Sequence, residues 1–165
     1  MIHIYTGDGK GKTTAATGLA VRALGAGLSS ILIRFIKETE SSEDAPIKEL
    51  GIPVEYFGTG FIFDEIPKEA INLAQKGLER TKEIIDKKLF DVLILDEVNI
   101  AVKVGLISEQ DILQILGMVP DDMEIILTGR GATDKMIEKA NLVTDMKEVK
   151  HYYREGVKAR KGIEY

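Results

Sequence analysis

Short apolar runs alternate with amphipathic stretches along the chain. Five mainly apolar runs suit buried parallel strands: residues 2–5, 31–36, 54–57, 92–95 and 125–128. Residues 142–146 predict a sixth strand. Patterns typical of helices lie between these runs, at residues 13–24, 68–87, 108–118 and 133–140. The alternation predicts an α/β fold for residues 1–165, a single domain whose mostly parallel central sheet is covered by helices.

The longest helical pattern, residues 68–87, is amphipathic. Its predicted buried face holds four residues that recur at helical spacing: Ile71, Ala74, Leu78 and Ile85. Gly77 lies within this pattern and weakens the prediction of an unbroken helix.

Ligands of open parallel sheets bind beyond the carboxyl ends of the strands. Three loops leave the predicted sheet at that edge, at residues 37–45, 58–67 and 128–133. Residues 38–44 are polar, with four acidic side chains, and predict a mobile segment. We therefore expect the substrate to bind among these loops.

The most informative segment, TGDGKGKTT at residues 6–14, lies between the first strand and the first helix. Glycines allow successive backbone N–H groups to face one anion, and the helix N-terminus adds partial positive charge. The expected nucleotide-binding residues are Gly7, Asp8, Gly9, Lys10, Gly11, Lys12, Thr13 and Thr14. Lys12 is expected to contact the phosphates, and the Thr13 hydroxyl to contact Mg²⁺.

This loop predicts the three-layer P-loop NTPase fold of the RecA-like type. One position departs from the usual pattern, because Thr6 stands where the loop normally has glycine. A glycine-rich turn that binds no ligand is the alternative, and the flanking strand and helix argue against it.

Two acidic residues, Asp96 and Glu97, follow the fourth apolar run. Carboxylate oxygens suit Mg²⁺, so the expected metal site comprises Thr13, Asp96 and Glu97. Either acid could contact the ion directly, with the other acting through water or orienting a neighbour. Alternatively, one of them only caps the next helix.

Two further features lie in the predicted edge loops. Arg130 follows the fifth run between two glycines, where its guanidinium could reach phosphate oxygens; the alternative is a solvated surface turn. Phe61 and Phe63 belong to a largely apolar segment at residues 59–63. If exposed, they predict contact with a flat apolar ligand or partner; otherwise they pack into the core.

Composition narrows the function classes. The chain has no Cys and a formal net charge of -5, so thiol chemistry is excluded and nucleic acid is not an expected partner. The sequence shows no signal peptide and no apolar run of membrane-spanning length, which predicts a cytoplasmic protein without membrane contact. His3 and His151 make no recognisable site. The chemistry is therefore expected to need positioning and charge neutralisation rather than a protein nucleophile.

Several segments together resemble the P-loop ATP:corrinoid adenosyltransferase family. They span nearly the whole chain in the family's order: residues 6–14, 35–37, 59–61, 95–97, 128–131, 149–151 and 156–165. The Lys-Gly-Lys loop, the Thr-Gly-Arg-Gly turn and the Gly-Val-Lys-Ala sequence near the end are more specific than a phosphate loop alone.

The resemblance implies transfer of the 5′-deoxyadenosyl group of ATP to the cobalt(I) of a corrinoid (cob(I)alamin or cob(I)yrinic acid a,c-diamide), with release of triphosphate. Cobalt(I) would itself be the nucleophile. The departing triphosphate would be stabilised by Lys12, Arg130 and Mg²⁺ held by Thr13 and Glu97. The family also implies a role in adenosylcobalamin synthesis or salvage, a homodimer, and a reduced flavoprotein as electron donor.

The resemblance also gives Phe61 and Phe63 a role beneath the corrin ring. Apolar side chains there displace the lower axial ligand, which eases reduction of cobalt(II). Relatives often have Trp at the second position. Longer relatives carry an N-terminal extension over the corrinoid, and this sequence reaches its first predicted strand at residue 2 without a matching segment.

The sequence is also compatible with two other functions. A P-loop kinase or ATPase would form ADP with the same residues, namely Lys12, Thr13, Asp96, Glu97 and Arg130. A nucleotide-dependent switch protein would bind ATP without turnover and present its aromatic loop to a partner.

Overall fold

The computed structural model describes residues 1–60 and 65–164. Its strands are β1 (Ile2–Thr6), β2 (Ser30–Arg34), β3 (Val54–Tyr56), β4 (Val92–Asp96), β5 (Glu124–Thr128) and β6 (Leu142–Asp145). They form one sheet in the order β3-β2-β4-β5-β1-β6, and every neighbouring pair is parallel. The six predicted strands and the parallel sheet are confirmed.

The helices are α1 (Lys12–Gly25), α2 (Asp44–Glu49), α3 (Lys68–Lys87), α4 (Val98–Lys103), α5 (Glu109–Met118) and α6 (Asp134–Lys139), with a 3-10 helix at Tyr152–Glu155. The four predicted helices correspond to α1, α3, α5 and α6. Helices α2 and α4, of six residues each, were not predicted. The segment at residues 38–44 was expected to be mobile, and its last residue, Asp44, begins α2 and is fully buried.

The sheet separates two apolar cores. Leu32 and Ile94 pack towards α1 and α2, whereas Ile33 and Leu95 pack towards α3, α4, α5 and α6. Strands covered on both faces need apolar residues at successive positions, which explains the unbroken apolar runs in the sequence. These three layers, with β5 between β1 and β4, form the expected P-loop NTPase fold.

The predicted helix over residues 68–87 is confirmed, and α3 continues without a break across Gly77. Its buried face includes Ala70, Ala74 and Gly77. Ile71 is 38% exposed, so its predicted place in the core was wrong. The helix is rotated so that Ala70, four residues before Ala74, faces the sheet instead.

Each strand ends in a polar residue at the carboxyl edge of the sheet: Thr6, Arg34, Tyr56, Asp96, Thr128 and Asp145. The parallel register places Arg34 beside Asp96 on one side and beside Tyr56 on the other. The apolar strand centres therefore align a row of polar side chains along one edge, where the predicted site residues lie.

We predict that Gly77→Ala lowers the free energy of unfolding by about 1–3 kcal/mol, the usual range for overpacking. The added Cβ would lie 2.8 Å from Cε1 of Phe35 and 3.0 Å from Cβ of Phe57, so the helix would have to shift. The control is Gly18→Ala in α1, where no described residue outside the helix backbone lies within 4 Å of the new Cβ. That variant should gain up to about 1 kcal/mol, and denaturant unfolding compares the two. Equal effects of both substitutions would contradict the packing explanation.

Candidate functional site

The loop at residues 7–11 joins β1 to α1 through backbone conformations that favour glycine. Gly7 has a φ of 95° and Gly11 a φ of 115°. Gly9 is needed for another reason, because a Cβ there would lie 2.6 Å from the carbonyl oxygen of Met146. The N–H of Gly9 donates to that same oxygen at 2.6 Å. The chain that follows β6 therefore holds the loop from one side.

Lys12, the first residue of α1, turns its side chain back towards the loop. Its Nζ donates to the carbonyl oxygens of Gly7 and Gly9, each at 2.7 Å, and the residue is only 8% exposed. The pKa of Lys12 is lowered, chiefly by burial, although nearby Glu97 opposes this shift. The loop thus encloses a positive charge that an anionic ligand would stabilise.

Asp96, the last residue of β4, is buried and has both carboxylate oxygens engaged. Oδ1 accepts hydrogen bonds from the hydroxyls of Thr13 and Thr128, both at 2.7 Å. Oδ2 accepts a hydrogen bond from Nη1 of Arg34 at 2.6 Å. The Asp96 carboxylate therefore connects the start of α1 with the ends of β5 and β2.

Glu97 follows with a φ of 60°, a left-handed conformation that is uncommon outside glycine. Its N–H donates to Oγ1 of Thr128 at 2.9 Å, which fixes the turn. Burial and the adjacent Asp96 raise the pKa of Glu97, while Lys12 opposes them. Glu97 occupies the N-cap position of α4, but its side chain makes no capping hydrogen bond. Among the described residues, none donates a hydrogen bond to its carboxylate.

The turn after β5 brings Arg130 to the same edge. Gly129 has a φ of 124°, and a Cβ there would lie 3.0 Å from the backbone nitrogen of Ile100 in α4. Nδ2 of Asn99 donates to the Gly129 carbonyl oxygen at 3.1 Å. Nε of Arg130 lies 3.9 Å from Oδ1 of Asp8, and both side chains are exposed. Arg130 and the glycine loop therefore lie side by side.

The C-terminal segment packs against the loop through Lys10. Nζ of Lys10 donates to the carbonyl oxygen of Ile163 at 2.6 Å and to Oε1 of Glu164 at 3.0 Å. Glu164 also accepts hydrogen bonds from Arg160 and Tyr152, and these donors lower its pKa. The side chain of Lys10 is thus engaged by the C-terminal segment.

A groove of about 300 Å³ adjoins this segment. Its lining includes Arg130, Glu148, His151, Tyr152, Tyr153 and Val157. The groove combines aromatic rings with a cation next to the loop. It was not predicted, because the sequence does not show that its C-terminal residues fold back to Arg130.

The structure brings most of the predicted site residues together at one edge, namely residues 7–14, Asp96, Glu97 and Arg130. Sequence reasoning missed Arg34 and Glu164. The available signal for Arg34 was a single charged residue inside the otherwise apolar run at residues 31–36. No local pattern marks Glu164, because its partner Lys10 is distant in the sequence.

The two histidines were not expected to form a site. Nε2 of His3 lies 2.9 Å from Oε2 of Glu124 at the opposite edge of the sheet, and His151 caps the 3-10 helix, so the histidines do not meet. Phe61 and Phe63 lie outside the described residues. Within residues 1–60 and 65–164, we find neither a helix long and apolar enough to cross a membrane nor a cluster of three acidic or histidine side chains arranged for a metal ion.

The parallel sheet, the glycine loop around Lys12 and the acidic end of β4 define a P-loop nucleotide-binding protein. The whole chain, residues 1–165, matches the family model described as ATP:corrinoid adenosyltransferase BtuR/CobO/CobP. The chain belongs to this family, which confirms the resemblance found in the sequence.

Curated relatives that match the whole chain are also corrinoid adenosyltransferases. The chain is 34% identical to the corrinoid adenosyltransferase of Escherichia coli (strain K12), covering 100% of this chain and 85% of the relative. It is 33% identical to corrinoid adenosyltransferase CobA of Salmonella typhimurium, with the same coverage. The corrinoid adenosyltransferase of Pseudomonas aeruginosa is 34% identical, with 83% of its length covered.

A solved structure also shares the fold. The flagellar accessory protein FlaH from Methanocaldococcus jannaschii superposes with a TM-score of 0.54 at 14% sequence identity. The match covers 86% of this chain and 68% of FlaH. This likeness concerns the fold alone.

We predict that Thr128→Val lowers the free energy of unfolding by about 1–3 kcal/mol, the cost of leaving buried polar groups unpaired. Valine keeps the shape but loses the hydroxyl that donates to Asp96 and accepts from the N–H of Glu97. Thr128→Ser keeps both hydrogen bonds and should cost only about 1 kcal/mol for its missing methyl group. Urea unfolding compares the variants. A valine variant more stable than the serine variant would show that the hydroxyl is dispensable.

Proposed function

We propose that this chain transfers the 5′-deoxyadenosyl group of ATP to the cobalt(I) of a reduced corrinoid. Cobalt(I) supplies the electron pair for a new bond to the ribose C5′, and the bond between C5′ and its oxygen breaks. That electron pair leaves with triphosphate, cobalt becomes formally cobalt(III), and no proton has to move. The main support is the convergence of Lys12, Arg130 and the Thr13–Asp96 pair at one edge of the sheet.

Such a step depends on stabilising the leaving group. Lys12 offers a buried positive charge, which acts more strongly on phosphate than an exposed one would. Arg130 offers a second cation, whose planar guanidinium suits phosphate oxygens. The chain has no cysteine, and His3 lies at the opposite edge. The described groups at the loop therefore favour charge neutralisation over a protein nucleophile.

Magnesium is the proposed cofactor, and the residues present fit it. Mg²⁺ prefers oxygen ligands, which the Thr13 hydroxyl and the Glu97 carboxylate provide. Because Asp96 already accepts three hydrogen bonds, we assign it to orienting Thr13 rather than to direct binding. A cation beside Glu97 would offset the burial and repulsion that raise its pKa. When bound, Mg²⁺ supplies further neutralisation of the phosphates.

The corrinoid side of the reaction rests on the family resemblance. We propose that Phe61 and Phe63 contact the corrin ring and displace its lower axial ligand. A reduced flavoprotein is the proposed electron donor, and a cytoplasmic homodimer is the proposed working form. The reaction would serve adenosylcobalamin synthesis or salvage.

The direct test is anaerobic incubation with ATP, Mg²⁺ and chemically reduced cobalamin. Adenosyl transfer predicts a light-sensitive cobalt–carbon product and one triphosphate for each product formed. Accumulation of ADP and phosphate without a spectral change would instead indicate a kinase or ATPase. ATP binding without turnover would indicate a nucleotide-dependent switch, and either result would overturn the proposal.

Lys12→Ala should lower kcat/KM for ATP by roughly 100-fold or more, because it removes a charge that stabilises the leaving group. The matched control is Lys87→Ala at the end of α3, where Nζ pairs with Glu83 at 2.8 Å near the amino edge of the sheet. That variant should retain wild-type kinetics. Full activity of Lys12→Ala would remove the glycine loop from the mechanism.

The combined change Phe61→Ala and Phe63→Ala should slow the reaction that starts from cobalt(II) with a reductant. The same variant should react normally with prereduced cobalt(I), because the lower ligand no longer has to be displaced. Paired assays of the two starting states measure this difference. Equal losses in both would reject the role assigned to the aromatic residues.

A further inference from the structure

Arg34 ends β2 and is fully buried, which is unusual for a charged residue. Its Nη1 donates to Oδ2 of Asp96 at 2.6 Å. Its Nη2 donates to Oδ1 of Asp44 and, at 3.1 Å, to Oε1 of Glu43. The guanidinium therefore bridges Asp96, which holds Thr13, and the start of α2.

The α2 side of this bridge has its own supports. Oδ2 of Asp44 accepts hydrogen bonds from the Tyr56 hydroxyl at 2.6 Å and from the N–H of Ser41 at 2.8 Å. Nζ of Lys37 donates to Oγ of Ser41 at 2.5 Å. The Asp44 carboxylate that binds Arg34 thus has hydrogen-bond partners of its own, which define the orientation of the Arg34 guanidinium.

Stability alone is a weak reason for such a network. Replacing a buried ion pair by well-packed apolar residues is often neutral or stabilising, because burial of the charges costs so much. Burial raises the pKa of Asp44, but hydrogen bonds from Tyr56, Ser41 and Arg34 lower it below its ordinary value. The groups of this network therefore stay charged although they are buried. At one end of the network is the Asp96 carboxylate, which accepts a hydrogen bond from Thr13.

We infer that Arg34 is a positioning residue for the metal–nucleotide site and acts through Asp96. By holding Oδ2, Arg34 keeps Oδ1 directed at Thr13. A Thr13 hydroxyl that donates its proton to Asp96 presents its lone pairs to a cation. Among the described residues, only Arg34 donates to Oδ2, so the carboxylate could rotate without it. The inference rests on the proposed nucleotide site, but not on the identity of the group transferred.

The test combines Arg34→Met with Asp44→Asn, which removes the guanidinium and leaves the position of Asp44 neutral. ATP is titrated into the full chain by calorimetry with and without Mg²⁺. Loss of an outer support of a metal site typically weakens binding about 10-fold or more, so MgATP should bind that much more weakly. Binding of ATP without Mg²⁺ should stay at the wild-type level.

Asp44→Asn alone is the comparison variant, because Arg34 keeps its hydrogen bond to Asp96 and loses only the charge of one support, so affinity for MgATP should fall less than in the double variant. Arg34→Lys keeps a cation near Asp96 and should recover part of the affinity. If the double variant fails to fold, Arg34→Lys tests the inference in its place. Its expected loss of affinity is smaller than that of the double variant, but again appears only with Mg²⁺.

An equal loss with and without Mg²⁺, or an equal loss in Asp44→Asn, would overturn the inference, since either indicates a general effect on the fold. If the wild-type chain binds MgATP but does not transfer the adenosyl group, the proposed function is overturned and this inference stands. A wild-type chain that does not bind MgATP would overturn both.

Discussion

The hydrogen bonds to the Asp96 carboxylate connect the elements that form the site. A buried anion is stable only when its oxygens are satisfied, and Asp96 has two hydroxyl donors and a guanidinium, each from a different element. The parallel register makes this possible, because Arg34 and Asp96 are direct neighbours across β2 and β4. The geometry at the edge therefore depends on strand alignment, which the apolar strand centres stabilise.

The glycine loop depends on the sheet in a second way. Strand β6 is exposed at every residue, so its contribution to the core is small. Its continuation nevertheless shapes the loop, because the N–H of Met146 donates to the carbonyl oxygen of Thr6 at 2.9 Å and its carbonyl oxygen accepts from Gly9. An edge strand with little buried area thus stabilises the conformation of the glycine loop that surrounds the Lys12 side chain.

The sequence predicted those features that depend on local pattern. Apolar runs marked five of the six strands, glycine spacing marked the loop, and position after a strand marked Asp96 and Glu97. Features that depend on long-range pairing were missed. The acidic segment at residues 38–44 gives no sign that Asp44 has a buried cation as its partner, since Arg34 reaches it only once β2 and α2 have packed. The pattern of α3 likewise did not show which of Ala70 and Ile71 faces the sheet, because both suit a helix.

Two charges of opposite sign, Lys12 and Glu97, lie at this edge of the sheet, and burial disfavours the charged form of each. Burial lowers the pKa of Lys12, and burial with the adjacent Asp96 raises the pKa of Glu97, which also has a left-handed backbone. Lys12 would gain from an anion, whereas Glu97 would gain from a cation. Free phosphate would satisfy only the lysine and would repel the carboxylate. A polyphosphate that carries a divalent cation would satisfy both, which supports the proposed metal–nucleotide complex over a simple anion.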